Sequence, residues 1–508
     1  MLLSAERDWK RHALLNPLGY YDLRTEDLGD VPVRLFLSEQ LLDEAEPSLY
    51  PQIVNATRFA GARAVVITPD VHFGYGVPVG CVIATDRESG AIALGPVGFD
   101  MGCGMISARS DVPSSAATPD RKLEFNRKVM ERVNLGTGGT SVRFGRLSPD
   151  ELMTWLRGGA SGYLERFGSK AVMGRTERDR LPIDEDWSPP WGEPGHPERG
   201  LDQLGSLGGG NHFIELQRGV ASDQNPADAR LGTLHVQIHT GSRGFGHGLA
   251  TNYFALAKAE RPEEITHLDL GYFLPDSAHF NGYLNAVSAA ANFAILNRLV
   301  IFEQVADAFE QVFGEPLELV YGISHNLVQA EEHPEFGSVW VHRKGATRAF
   351  PAGHPALDTS PFASTGHPVL IPGSNRDESF ILRPEPGSIH SLYSVNHGAG
   401  RRLSRGEALR RLDQAKVNET YRRAGVQVND DGEVPLDESS QCYKRSNDVI
   451  EAVTSANLAR VETRLWPLAS IKGSDTVAGH SKRSRRDKER SRNEERRRSR
   501  EHKRGRDD

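Results

Sequence analysis

Polar and apolar residues alternate through "GTLHVQIHTGSRG" at 232–244. Leu234, Val236 and Ile238 share one face and His235, Gln237 and His239 the other, the two-residue period of a β-strand. "ARAVVITPD" (62–70) and "VPVGCVIATD" (77–86) are continuous apolar runs of strand length, and "LELVYGISHN" is another, ending at His325. "RGEALRRLDQAKVNETYRRAG" (405–425) and "SNDVIEAVTSANLARVETRL" (446–465) predict helices. The most apolar long run, "AAANFAILNRLVIFEQVADAF", is interrupted by Asn292, Asn297 and Arg298. Those residues argue against a membrane span and for a buried helix. Strands and helices mixed in this way predict an α/β or α+β protein with a large mixed core. "RTERDRLPIDEDWSPPWGEPGHPERG", Arg175 to Gly200, is rich in proline, glycine and acids and predicts a long surface loop.

Length and charge sharpen this picture. A chain of 508 residues can bury one large core or two to four smaller ones. Its three cysteines are widely spaced, which excludes a disulfide framework and fits a reducing compartment. "MLLSAERDWKRH" carries acids and no apolar h-region, so no secretory signal is expected there. A cytoplasmic protein without membrane contact is expected. The net charge of −7 is uneven: from Ser474 onward there are 14 Lys/Arg against 8 Asp/Glu, which leaves −13 on the rest. The basic tail 474–508 has almost no apolar residues and predicts a disordered segment or fraying helix, serving as a solubilising tail or an RNA-contacting arm.

Candidate chemistry gathers in five glycine-flanked stretches: "GFDMGCG", "LGGGNHFIE", "IHTGSRG", "GISHNLV" and "VNHGAGRR". They offer Asp100, Cys103 and several histidines at strand ends, where a side chain can enter a site while the backbone stays close. Carboxylate, thiolate and imidazole together suit Mn²⁺, Zn²⁺ or Fe²⁺. The Asp-x-x-Cys spacing lets both side chains reach one ion if the backbone turns at Gly102 and Gly104. Cys81 and Cys442 read as small buried hydrophobes. Arg243, Arg343, Lys344, Arg348, Arg401 and Arg402 lie near these histidines and suggest an anionic substrate. There is no P-loop and no Lys-x-Asp-Gly of a lysine-adenylating ligase.

In order along the chain stand "PDVHFGYGVPVG", "GFDMGCG", "QLGSLGGGNHFIE", "HTGSRGFGH", "AAANFAILNR", "HRKGATRAF", "HGAGR" and "IKG". From about Pro69 to Gly473 this series resembles the RtcB family of RNA-splicing ligases. The resemblance implies an α+β fold: one large domain over 1–473, a mixed or antiparallel sheet core surrounded by helices, and the 175–200 loop and the tail as additions. It implies a GTP-dependent ligase that joins RNA 3′-phosphate or 2′,3′-cyclic phosphate ends to 5′-hydroxyl ends, in tRNA splicing or RNA repair.

Carried over residue by residue, the family's two Mn²⁺ would be held by Asp100, Cys103, His212, His239 and His325, with Cys103 bridging. His397 would be the guanylylated nucleophile. The nucleotide pocket would take Asn211, Phe213, Glu215, His325, Asn326, Ser374, Gly398, Ala399, Gly400, Tyr443 and Lys472, together with His397. Arg243, Lys344 and Arg401 would lie near the phosphates. An archease-like activator and a monomeric state are also expected. Two departures stand out: "PVGC" where the family commonly reads "PIGG", and "NRDESF" after "IPGS", which predicts Arg376, Asp377 and Glu378 beside the nucleotide. Two other readings compete. "DVHFG" and "GNHF" resemble stretches of calcineurin-like metallophosphoesterases, although G-D-x-x-D and G-H-x-H are absent. A catalytically silent RNA-binding paralogue is the third.

Overall fold

The alternating segment around Ile238 lies inside the larger of two main sheets. The computed structural model describes residues 4–168, 170–176, 180–220 and 231–473; the 474–508 tail and positions 177–179 of the expected surface loop fall outside that range. The larger sheet runs Glu318–Ser324, Gly104–Pro113, Thr233–Thr240, Phe213–Val220, Ala459–Ile471, Ser379–Pro384, Val369–Ile371 from edge to edge. These neighbours are all antiparallel, and Gln427–Val428 joins in parallel beside Ala459–Ile471. The second sheet runs Ala13–Leu15, Tyr21–Leu23, Val33–Leu35, Ala62–His72, Val79–Asp86, Gly337–Lys344, Asn326–His333. Its one parallel pairing is Val33–Leu35 with Ala62–His72. The fold is α+β, a single domain with a mixed sheet core.

The two sheets meet over a shared apolar cluster, with Val66, Val82, Ala84, Val339 and Val341 from one and Val369, Ile371, Phe380 and Leu382 from the other. Helices cover the remaining faces. Ile53 and Val54 of Leu49–Thr57 pack on Val65, Ile67, Cys81 and Ile83. The helix Phe280–Phe313 packs on Ile106, Ala108, Leu234, Val236 and Ile238. It is long and apolar enough to cross a membrane by length and composition, yet it is almost wholly buried within the protein.

Two helix expectations need correction. Only Ser446–Ser455 of the segment 446–465 is helical; the chain turns at Asn457 and enters the strand Ala459–Ile471. That strand pairs on both sides, with Phe213–Val220 and Ser379–Pro384, and long-range pairing overrides a local helical pattern. The segment 405–425 is two helices, Arg405–Arg411 and Gln414–Ala424. The break falls at Leu412 and Asp413, where the Asp413 carboxylate accepts from Lys416 N–H and starts the second helix.

The region 180–200 is bound more closely than a surface loop. Leu181 is buried, and Ile183, Trp187 and Trp191 pack against the large core. Asn292 of the long helix accepts from Leu181 N–H (2.9 Å) and donates to Leu181 O (2.8 Å) and Leu156 O (2.9 Å). Asn285 accepts from Asp184 N–H (2.7 Å). The polar residues that break the apolar run are therefore its fasteners. Asn292→Leu keeps the volume but leaves buried backbone groups unpaired, and should lower the unfolding free energy by about 1–3 kcal/mol. Urea denaturation checks this; an unchanged midpoint would refute the assignment.

Candidate active site

Four neighbouring strands of the larger sheet deliver ligand-type side chains to one end. Cys103 precedes Gly104–Pro113, His212 precedes Phe213–Val220, His239 lies near the end of Thr233–Thr240, and His325 follows Glu318–Ser324. The register places Gly104 beside both Thr240 and Ser324, and Phe213 beside His239. Antiparallel pairing thus turns four distant sequence positions into one cluster. The Asp100–Cys103 turn needs Gly102, which has φ of +77° and sits where an added Cβ would lie 2.7 Å from Ala291 Cα of the long helix.

The same helix pins the backbone beside three of the donors. Arg298, buried, donates to Gly102 O (2.7 Å), Thr240 O (3.2 Å) and Ser324 Oγ (2.9 Å). Each acceptor is next in sequence to Cys103, His239 or His325. Asn297 holds Gly205 N–H, Ser206 O and Gly241 O.

The donor atoms form two triads that share Cys103: Cys103, His239 and His325, and Asp100, Cys103 and His212, each with its atoms within 4.8 Å of one another. Cys103 Sγ is 3.5 Å from His212 Nε2 and 3.3 Å from His239 Nε2. His239 Nε2 is 3.2 Å from His325 Nε2, and His212 Nε2 is 3.1 Å from Asp100 Oδ2. The opposite ring nitrogens face carbonyls: His212 Nδ1 to Leu207 O (3.0 Å) and His239 Nδ1 to Asn211 O (3.1 Å). Nδ1–H donation there leaves the Nε2 lone pairs aimed inward, as metal ligation requires. Asp100 Oδ1 accepts from Ser242 N–H and Oγ–H.

Burial pushes the His239 and His325 pKa values well below the ordinary range, and neighbouring imidazoles add to this. Burial raises the Cys103 thiol well above its usual value, with Asp100 adding to the shift. Burial also opposes ionisation of Asp100, but the His212 imidazole beside it and hydrogen bonds from Ser242 outweigh it and hold the carboxyl below its usual range. Five lone-pair donors packed this closely have too few protons to bond one another. A pair of divalent cations would satisfy all five, with Cys103 shared, so the residues fit the group.

His397 follows the strand Ser394–Asn396 and lies next to this cluster, its ring centroid 4.9 Å from that of His325. Sequence reading missed its partner. Asp70, fully buried, sits with Oδ2 2.6 Å from His397 Nδ1 and accepts from His397 N–H (3.0 Å) and Gly398 N–H (3.2 Å). Burial disfavours the Asp70 anion, yet the His397 imidazole keeps its pKa lowered. Gly345, at φ +60°, clears the ring: a Cβ there would lie 2.9 Å from His397 Cε1. Asp70 and His72, the D-x-H pair that resembled a metallophosphoesterase stretch, stand outside both triads. His72 Nδ1 is instead 3.0 Å from Asp70 O.

A cavity of about 320 Å³ joins these groups to the residues expected to hold a nucleotide. Asn211, Phe213, Glu215, Asn326, Ser374, Gly398, Ala399, Gly400, Tyr443 and Lys472 all line it with Asp100, Cys103, His239, His325 and His397. Its far side is organised by Glu438, a second residue that sequence reading missed. Glu438 pairs with Lys472 (3.2 Å), Arg401 (3.2 Å) and Arg405 (3.2 Å), and accepts from Tyr443 Oη–H. Burial opposes the Glu438 anion, but Lys472, Arg405 and Arg401 hold its pKa down. Glu215 has the opposite balance. Burial pushes it up to about 8, against the Gln217 hydrogen bond and Lys472.

The three expected phosphate contacts separate. Lys344 lines the cavity, but its ammonium donates to Tyr75 O (2.8 Å) and Val77 O (3.3 Å). Arg401 lines it as part of the Glu438 group. Arg243 lies behind His212, donating to Ser206 Oγ and Gly136 O. Arg343 and Arg348 are core residues: Arg343 pairs with Glu331 through two hydrogen bonds, and Arg348 donates to Gln329. Of the unusual "NRDESF" stretch, Asn375 lines the cavity and Asp377 accepts from Ser374 Oγ–H (2.6 Å). Glu378 pairs with Arg464. No motif signalled Glu438, and the "DVHFG" stretch that contains Asp70 gave no sign of its pairing with His397, 327 positions away.

Strand-end donors that could hold a metal, and a histidine paired with a buried aspartate, thus share one cavity. The comparisons specify the class. The family model described as tRNA-splicing ligase RtcB matches residues 52–473. A tRNA-splicing ligase RtcB of Pyrobaculum aerophilum is 35% identical over 87% of this chain and 95% of its own length. One from Thermococcus kodakarensis is 33% identical over 87% and 95%, and an RNA-splicing ligase RtcB of Mycobacterium tuberculosis is 36% identical over 83% and 100%. The chain belongs to the RtcB family of ligases.

Because Glu215 titrates at about 8 in the folded chain and near 4.5 when unfolded, folding favours its protonated form. That contribution is complete below about pH 4.5 and is lost as pH rises through about 8. The melting temperature of the wild type should therefore fall relative to Glu215→Gln between about pH 5 and pH 8, then level off. Parallel melting curves for the two proteins would show no such divergence if the carboxyl were ionised throughout.

Proposed function

We propose that the protein joins RNA 3′-phosphate or 2′,3′-cyclic phosphate ends to 5′-hydroxyl ends, using GTP and a guanylylated His397, in tRNA splicing or RNA repair. The observation that carries this reading is the placement of His397. Its Nδ1 faces buried Asp70 while its ring meets the donor cluster within the cavity that Glu215 and Lys472 also line.

A proton on Nδ1, the nitrogen beside Asp70, would leave the Nε2 lone pair free for attack, and Asp70 would stabilise positive charge on the ring. Nε2 forms a bond to the α-phosphorus of GTP as the bond from that phosphorus to the bridging oxygen breaks, and pyrophosphate leaves. Glu215 supplies an acceptor for guanine N–H donors, Lys472 a donor for its acceptors, and Phe213 a ring face. An oxygen of the RNA 3′-phosphate then takes the guanylate from Nε2, which regains its lone pair. Attack by the 5′-hydroxyl on the activated 3′-phosphorus closes the phosphodiester and expels GMP. Two Mn²⁺ held by Asp100, Cys103, His212, His239 and His325 would supply charge neutralisation at the phosphoryl oxygens.

The test is incubation with α-labelled GTP and Mn²⁺. Wild type should acquire acid-labile, alkali-stable label; His397→Ala should acquire none while still binding Mn²⁺. Asp70→Asn should slow labelling by about a hundredfold or more, as for a mis-set histidine tautomer. Normal labelling of His397→Ala would refute the nucleophile, and absence of label on the wild type would refute the reaction.

A further inference from the structure

The loop that follows Asp70 has a feature that guanylylation does not use. Phe73 and Tyr75 are 55% and 71% exposed, the two exposed aromatic residues among the described ones; Tyr75 is more exposed than any other large hydrophobic there. The loop carrying them is held in place. Gln52 donates to Gly74 O (2.6 Å) and accepts from Gly74 N–H (3.0 Å). Asn55 donates to Gly76 O (2.9 Å), and Lys344 to Tyr75 O and Val77 O. Lys444 secures the start of the loop through Pro69 O (3.1 Å) and Val71 O (2.7 Å). Two bare rings on so firmly tied a backbone are poised to receive something.

Their position says what. His72 and Tyr75 both line the cavity that holds His397, and Phe73 lies between them in sequence. Three residues span at most about 10 Å, so the rings stand within a short reach of the reacting phosphate. A terminal nucleotide bound there carries a flat base with no duplex partner. Unpaired RNA bases are taken up by stacking on aromatic side chains, whatever the sequence, because every base has a π-face.

We propose that Phe73 and Tyr75 form a stacking platform for the terminal nucleobases of the RNA whose ends meet at His397. The inference rests on the joining reaction proposed above. It assigns these rings to RNA capture and positioning, and it accounts for two lysines and two amides spent on fixing one short loop.

The experiment uses the full chain and RNA strands carrying 2-aminopurine at the 3′-phosphate terminus in one arm and at the 5′-hydroxyl terminus in the other. Binding to wild type should quench the fluorophore in at least one arm, and the quenched arm names the strand that stacks. Tyr75→Ala and Phe73→Ala should lose the quench and raise the RNA KM for joining by about tenfold; Phe73→Ala, whose side chain does not line the cavity, should leave the rate of GTP labelling unchanged. Tyr75→Trp, which keeps a ring, should restore both readouts. An RNA KM unchanged in both alanine variants, or no quench with wild type in either arm, overturns the platform and leaves the rings for a protein partner. Loss of GTP labelling in Phe73→Ala also overturns it, by placing the loop in the nucleotide site. Failure of wild type to take GTP label would instead sink the proposed reaction, while the quench still decides the stacking.

Discussion

Arg298 places a guanidinium in the middle of the most apolar helix of the protein. Burying such a charge costs several kcal/mol unless its donors are met. They are met by Gly102 O, Thr240 O and Ser324 Oγ, each beside a residue of the donor cluster. Three strand ends are thereby fixed to one rigid group, and the helix sets the spacing of Cys103, His239 and His325. Asn297, one residue earlier, does the same for the turns at Gly205 and Gly241. Metal sites need donors held to within tenths of an ångström, and a sheet edge of four loops would not hold them so without this support.

The cavity beyond the cluster works by opposed charge balances. Asp70 and Glu438 are buried carboxylates kept ionised by their partners, His397 in one case and three cations in the other. For Glu215, equally buried, the Gln217 hydrogen bond and Lys472 do not outweigh burial, which pushes its pKa up to about 8. One wall thus orients His397, a second gathers cations, and a third holds a carboxyl whose burial favours its protonated form. Lys344 and Lys444 look like phosphate binders by charge alone, yet both are turned toward backbone carbonyls of the 69–77 segment. Both are taken up in fixing the segment that carries Phe73 and Tyr75.

Much of this was legible in the chain, for identifiable reasons. Glycine-flanked histidines at the ends of apolar runs are local signals, so Asp100, Cys103, His212, His239, His325 and His397 stood out as candidate chemistry, while the choice of the first five as ligands rested on the family resemblance. The period of two around Ile238 placed its strand, and the polar residues in the 289–309 run marked a buried helix. What local pattern could not carry were choices settled by distant partners. The 459–465 stretch reads as the end of a helix and becomes part of a strand between two others. Asp70 and His397 are 327 positions apart, and nothing near either announces the other. Arg343 has the composition of a phosphate site and the surroundings of a core ion pair with Glu331. Sequence by itself determined the chemical inventory and which segments could bend or bury, because those depend on residue type and near neighbours. Only the tertiary structure decided which charges face the cavity and which are consumed inside the fold, because a hydrogen-bond donor is spent on whichever acceptor the packing brings within about 3 Å.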